Sequence, residues 1–309
     1  MIKQINKGIF PTMITPYKNG EIDYNAVEKL TNWYIENGCS GIFAVCQSSE
    51  MAYLSLDEKV TLAKAVMKAA DSRINVVASG HTSTSFDEQY RELSMMAETG
   101  VDAVVTVSNR FDLHNDGDDV WLKNAEKMLN KLDDSITLGI YECPMPYKRL
   151  LSPRIIKWCM DTGRFTFIKD TCCSTEMLAE RLEMIKKSSM MLFNANGQTF
   201  LYSLERGAAG YSGIMANYHP DLLCWLFENF DKDREKAYFI SNALCMSAFT
   251  ENNSYPCSAK YYLNKVGIEM DLFARSSDEK RMTGYQKLCM DKMFDFDNEL
   301  RSIIGGKGI

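Results

Sequence analysis

Short apolar runs rich in β-branched residues recur along the chain: Gly8-Ile9-Phe10, Gly41 to Val45, Ile74 to Ala78, Ala103 to Val107, Thr137 to Tyr141, Phe165 to Lys169, Met190 to Phe193 and Gly210 to Met215. Short, largely apolar and bounded by polar stretches, they predict eight candidate strands. Most of the intervening stretches are amphipathic. Asn25 to Ile35, for example, places Val27, Leu30, Trp33 and Tyr34 on one helical stripe. Gly38, Gly100 and Gly163 each stand shortly before a strand, where a left-handed helix cap favours a residue without Cβ.

Strands alternating with helices every roughly 20 to 35 residues match a parallel (β/α)8 TIM barrel better than an open sheet. The open-sheet rival lacks its signature, because no Gly-x-Gly-x-x-Gly follows the first strand; a nicotinamide cofactor is therefore not expected. Beyond about residue 220 the strand signal stops, and helical pattern runs from Asp221 to Ile304. The expected organisation, an α/β one, is a barrel catalytic domain over residues 1–220 and a C-terminal helical region over 221–309 that packs on it or builds an oligomer contact.

A length of 309 residues suits one barrel of about 250 plus an appendage. Lys plus Arg at 35 against Asp plus Glu at 41 gives a net charge of −6 without a basic, aromatic-interleaved patch, which argues against nucleic-acid or anionic-membrane partners. No apolar run approaches the ~18 residues of a membrane-spanning helix. The ten cysteines have no Cys-x-x-Cys spacing, and His81, His114 and His219 are scattered, so no metal site is expected. The N-terminal stretch lacks an export signal, which predicts reduced thiols and a cytoplasmic protein.

In a barrel the chemistry sits where strands end at their C-terminal side. Those positions carry Gln47-Ser48-Ser49-Glu50, Asn109-Arg110, Tyr141-Glu142, Lys169-Asp170-Thr171 and Asn194-Ala195-Asn196-Gly197. Lys169 ends Phe165-Thr166-Phe167-Ile168, a run expected to be fully buried. A desolvated ammonium there loses its proton more readily and becomes a nucleophile for Schiff-base formation with a ketone. The same position also suits a lysine snorkelling from the strand end or paired with Asp170. Tyr141 is either an aromatic cap of the core or, beside the lysine, a proton-transfer group. The Gln47-Ser48-Ser49 turn offers N–H groups and hydroxyls for a small carboxylate. Asn194, Asn196, Gln198 and Ser212 are candidate hydrogen-bonding groups for the rest of a substrate. Arg110 fits either a second carboxylate or a solvated loop.

The chain resembles the dihydrodipicolinate synthase and N-acetylneuraminate lyase family of class I, Schiff-base-forming aldolases. The landmarks are Gly8-Ile9-Phe10-Pro11-Thr12-Met13-Ile14-Thr15-Pro16, Cys46-Gln47-Ser48-Ser49-Glu50, Tyr141-Glu142-Cys143-Pro144, Ile168-Lys169-Asp170, and Asn253-Ser254-Tyr255-Pro256 with Lys260. The resemblance implies an imine between Lys169 and pyruvate or another 2-oxo acid, proton transfer by Tyr141, and a carboxylate held by Ser48 with the Ser49 N–H. It also implies a lyase or aldolase that needs no cofactor beyond that covalent imine, partnered by a 2-oxo acid and an aldehyde, and assembled as a tetramer or dimer.

Departures from the family pattern fall in the acceptor half. Gln47 stands where the family has a relay hydroxyl, Phe111 lies nearest the synthases' second tyrosine, and Pro146 replaces an aldehyde-binding arginine, with Lys148 and Arg149 close behind. The acidic pair of sialic acid lyases is Gly197-Gln198 here, whereas Thr171 matches those lyases. These changes point away from strict dihydrodipicolinate synthesis and from sialic acid cleavage. Two alternatives stay open: a 2-oxo-3-deoxy sugar acid dehydratase using the same imine, and a non-catalytic barrel that binds 2-oxo acids.

Overall fold

Each apolar run contains a strand in the computed structural model, which describes residues 2–251, 254–276 and 282–305. The strands are β1 (Gly8–Ile9), β2 (Gly41–Phe43), β3 (Asn75–Ala78), β4 (Ala103–Val107), β5 (Leu138–Tyr141), β6 (Phe165–Asp170), β7 (Met191–Asn194) and β8 (Gly210–Tyr211). Sequence neighbours pair in parallel from β2 to β8, and β8 pairs with β1 through Gly8↔Gly210. The last seam, between β1 and β2, is closed by a parallel bridge Thr12↔Phe43, with Met13 N–H donating to the Phe43 carbonyl at 3.1 Å. The result is the expected (β/α)8 barrel with additional C-terminal helices.

The helices that cover the strands are α1 (Tyr24–Glu36), α2 (Leu56–Ala70), α3 (Phe86–Ala97), α4 (Asp118–Leu129), α5 (Pro153–Thr162), α6 (Thr175–Ile185), α7 (Phe200–Leu204) and α8 (Pro220–Asn229). Serine starts several of them. Ser55, Ser85, Ser152 and Ser174 accept from an N–H of the first turn, and Ser55 forms a reciprocal capping box with Glu58; each such cap contributes about 1 kcal/mol. Gly38, Gly100 and Gly163 all take positive φ, the left-handed turn their positions predicted.

The expected division after residue 220 cuts through the barrel. Helix α8 packs on β1, where Phe227 lies under Gly8, so it is the eighth helix of the ring, and the appendage starts after it. The strand-less stretch read as one helical region from 221 therefore begins with a barrel helix, which the loss of strand signal could not reveal. The appendage comprises α9 (Arg234–Glu251), α10 (Cys257–Lys265) and α11 (Gly284–Ile303). A buried polar cluster pins it: Asp297 of α11 accepts from Tyr262 OH at 2.7 Å and lies 3.0 Å from His219 Nδ1, while Arg301 pairs with Asp221 at 2.6 Å. A short hairpin, Tyr17–Lys18 with Glu21–Ile22, was not foreseen from the sequence.

The barrel interior is aromatic. Phe167 stacks on Phe193 with ring centroids 4.6 Å apart, Phe10 meets Phe193 edge-on at 4.8 Å, and Phe43 meets Phe167 at 6.0 Å. Gly41 makes room for this layer, since a Cβ there would collide with the Phe10 ring. None of the ten cysteines is disulfide-bonded, and no helix among the described residues is long and apolar enough to cross a membrane.

Candidate active site

Parallel register decides which strand-end side chains share the barrel mouth. Val107, Tyr141, Lys169 and Phe193 are aligned across β4 to β7. Alternation along β6 then puts Lys169 on the same face as the interior Phe167 and turns Asp170 to the other side. The Lys169 side chain is buried, its Nζ 4.2 Å above the centroid of the Tyr141 ring and 5.5 Å from that of Phe43. It has no carboxylate partner among the described residues. Burial lowers its pKa below the ordinary lysine range, against an opposing influence of Cys46 and Cys143.

Asp170 instead faces Arg181 of α6, so the reading of Lys169 as its ion-pair partner does not hold. Arg181 also bonds Glu142 Oε1 at 2.7 Å and the Leu151 carbonyl at 2.7 Å. Glu142 in turn accepts from the N–H groups of Leu151 and Thr171 at 2.7 and 2.9 Å. This buried triad ties together the segments after β5 and β6, immediately behind the lysine. Burial raises the Glu142 pKa, with Arg181 opposing.

Tyr141 is buried, packs edge-on to Phe43 at 5.7 Å, and forms a hydrogen bond with Cys143. Burial, reinforced by the neighbouring thiols, raises its phenol pKa well above the usual value, so it holds its proton at neutral pH. The Cys143 thiol lies 3.6 Å from Gln47 Oε1, which brings Gln47 to the same spot.

The Gln47-Ser48-Ser49 turn separates its two hydroxyls. Ser48 Oγ donates to Thr12 Oγ1 at 3.0 Å and is hydrogen-bonded with Tyr255, whose own hydroxyl accepts from Asn217 Nδ2 at 3.3 Å. Ser49 Oγ is bound back to its own turn, accepting from Cys46 N–H at 2.6 Å and donating to the Cys46 carbonyl at 2.8 Å. Its hydroxyl is thereby engaged within the turn. Glu50, in the left-handed region at φ 61°, accepts from Ser276 N–H at 2.6 Å and anchors the turn to the C-terminal segment.

The remaining predicted residues divide by environment. Thr171 donates to the Glu142 carbonyl at 2.7 Å. Asn194 is buried and bonds Thr199 and Ser203 at 3.0 and 3.1 Å while accepting from Asn196 N–H, on the helix side of the barrel with Asp170. Asn196 and Gln198 bond each other. Ser212 Oγ is buried without a hydrogen-bond partner among the described residues. Phe111 packs in the core against Trp121 at 5.2 Å and His81 at 5.3 Å. Asn253 lies outside the described residues.

Sequence reasoning gave no role to Tyr255 or to the thiol of Cys143. Both reach the site only through the fold: Tyr255 comes from a turn beyond α9, and Cys143 faces Gln47 from 96 residues away. Asn109 was seen as a strand-end polar residue; its amide donates to the carbonyls of Cys143, Met145 and Tyr147 at 3.0, 2.9 and 2.6 Å and shapes the loop after Tyr141.

A model of the dihydrodipicolinate synthetase family matches residues 5–277. The chain belongs to that family. Its relatives include the 4-hydroxy-tetrahydrodipicolinate synthase of Methanocaldococcus jannaschii, 27% identical over 290 residues that cover 89% of this chain and 96% of that protein. Among solved structures, YagE from E. coli K12, a family protein in complex with pyruvate, superposes with a TM-score of 0.84 at 17% identity, covering 94% of this chain and 98% of its own. CdNal from Clostridium difficile, in complex with mannosamine, gives 0.82 at 17% identity with the same coverage. Membership makes the chain an enzyme of the family's aldolase and lyase class.

Proposed function

We propose that this family member is a cytoplasmic Schiff-base lyase or aldolase that cleaves or forms a 2-oxo acid, with pyruvate as donor or product and an aldehyde as the other partner. The observation that carries the reading is a buried lysine amine, aimed into an aromatic barrel mouth, over a protonated tyrosine and without a counter-ion among the described residues. Burial favours the neutral amine, the form that attacks a ketone. Loss of water from the resulting carbinolamine gives the imine. Tyr141, adjacent and protonated, is the group that donates and recovers protons during that dehydration and at the enamine carbon. Ser48 and the Ser49 N–H hold the 2-oxo acid carboxylate. The imine draws the electron pair of the breaking carbon–carbon bond, and the reverse reaction presents the enamine to the aldehyde. The active form is a homo-oligomer, a dimer or tetramer, in keeping with the exposed Phe239, Met246 and Phe249 of α9.

Incubation with pyruvate and borohydride, followed by peptide mapping, tests the reading. Reduction of an imine leaves a stable adduct on Lys169. An unmodified Lys169, with pyruvate and then with longer 2-oxo acids, refutes the proposal and favours a non-catalytic barrel.

A further inference from the structure

A cavity of about 240 Å³ opens over Gln47, lined by Met51, His81, Thr82, Val107, Arg110 and Pro146 among others. That volume equals roughly eight water molecules at ~30 Å³ each, enough for a short carboxylated chain. Gln47 belongs both to this wall and to the Cys143 contact beside Tyr141, so the cavity and the lysine site share this residue.

Its cation is Arg110. Far from being a solvated loop residue, Arg110 is 8% exposed. Its Nε donates to Asn109 Oδ1 and its Nη1 to the Thr82 carbonyl, both at 2.9 Å, which fixes the plane of the guanidinium; Nη2 has no partner among the described residues. No acid among the described residues pairs with it. Glu92, whose charge acts on Arg110, is held by Lys59 at 3.1 Å and by four hydrogen bonds from Thr82 and Ser83. The neighbouring cations are accounted for: Arg149 pairs with Asp112 and Asp118, and Lys148 donates to the Thr171 carbonyl. His81 is neutral, because Nδ1 accepts from Val107 N–H while Nε2 faces Gln89 Oε1, and burial lowers its pKa to about 4.

A buried charge without a counter-ion is costly unless something supplies one. Here it lines an open cavity with largely apolar walls, where an anion is held more strongly than in water. We propose that Arg110 is the specificity-determining residue of the acceptor half, and that the substrate is a 2-oxo acid bearing a second carboxylate, bound by the Arg110 fork with the Gln47 amide alongside. This rests on the imine chemistry proposed for Lys169.

The test compares the rate of reductive trapping on Lys169 by 2-oxoglutarate with that by 2-oxopentanoate, which has the same chain length but one carboxylate. Wild type is expected to favour the diacid by about 10-fold or more, the usual range for a hydrogen bond to a charged group. Arg110→Gln should bring the ratio near one, and Arg110→Lys should keep part of it. Pyruvate trapping in each variant reports whether the lysine site is still folded; if Arg110→Gln loses it, Arg110→Lys decides. A wild type that traps pyruvate but does not favour the diacid, or variants that keep the wild-type ratio, overturns the role of Arg110 alone. Failure of wild type to trap pyruvate at Lys169 overturns the reading beneath it.

Discussion

Lys169 and Asp170 are consecutive residues of one strand, both almost fully buried, yet they live in opposite electrostatic regimes. Lys169 faces the barrel interior with aromatic rings below it and no counter-ion among the described residues. Asp170 faces the helix layer and is locked with Arg181 and Glu142. A one-residue step through the pleat separates an amine kept available from an ion network kept closed. An unpaired amine and a closed ion network are thus divided between the two faces of β6, and each can be perturbed separately.

The largest effect expected is on the rate. Tyr141→Phe keeps the ring against Phe43 and removes only the hydroxyl, so turnover of a 2-oxo acid substrate should fall by about 10²–10⁴-fold while the melting temperature barely moves. Steady-state kinetics with thermal melts checks this, and unchanged kcat would remove Tyr141 from proton transfer.

Next comes the closed side. Arg181→Met strands two buried carboxylates and should destabilise the fold by about 3–5 kcal/mol, read from urea unfolding. A loss within about 0.5 kcal/mol would mean that water reaches and satisfies this network.

The smallest effect runs the other way. Lys169→Met relieves an unpaired buried amine and should stabilise by about 1–2 kcal/mol while abolishing the imine. The folded-state pKa of Lys169 is lowered, so the unfolded chain binds the extra proton between that value and an ordinary lysine's ~10.4. Wild-type stability therefore rises with pH across that window, and the advantage of the Met variant is greatest below it. Melting curves across pH test the sign; a Met variant less stable than wild type at every pH would show that Lys169 contributes by packing.

The eight strands, the glycine caps and the strand-end position of Lys169 were legible because each is a local property: apolar run length, helical stripe, residue at the end of a run. The inward direction of Lys169 was not. Strands of a parallel barrel are buried on both faces, so their sequences are continuously apolar and carry no alternation to mark inside from outside. The same ambiguity made Asn194 a site candidate, although its amide holds the turn after β7. It also left Arg110 open between pocket and solvent, a choice that only the packing around Thr82 and Asn109 makes.

By itself, then, the sequence determined the barrel, its order of elements and the candidate nucleophile, since periodicity and chain order suffice for those. Tertiary structure decided which neighbours that nucleophile has. Closure of the sheet set the register of Tyr141 beside Lys169, docking of the C-terminal helices brought Tyr255 to Ser48, and loops from distant strands left Arg110 buried with no acid partner among the described residues. Burial and pairing of charge depend on contacts far apart in the chain, and no local pattern encodes them.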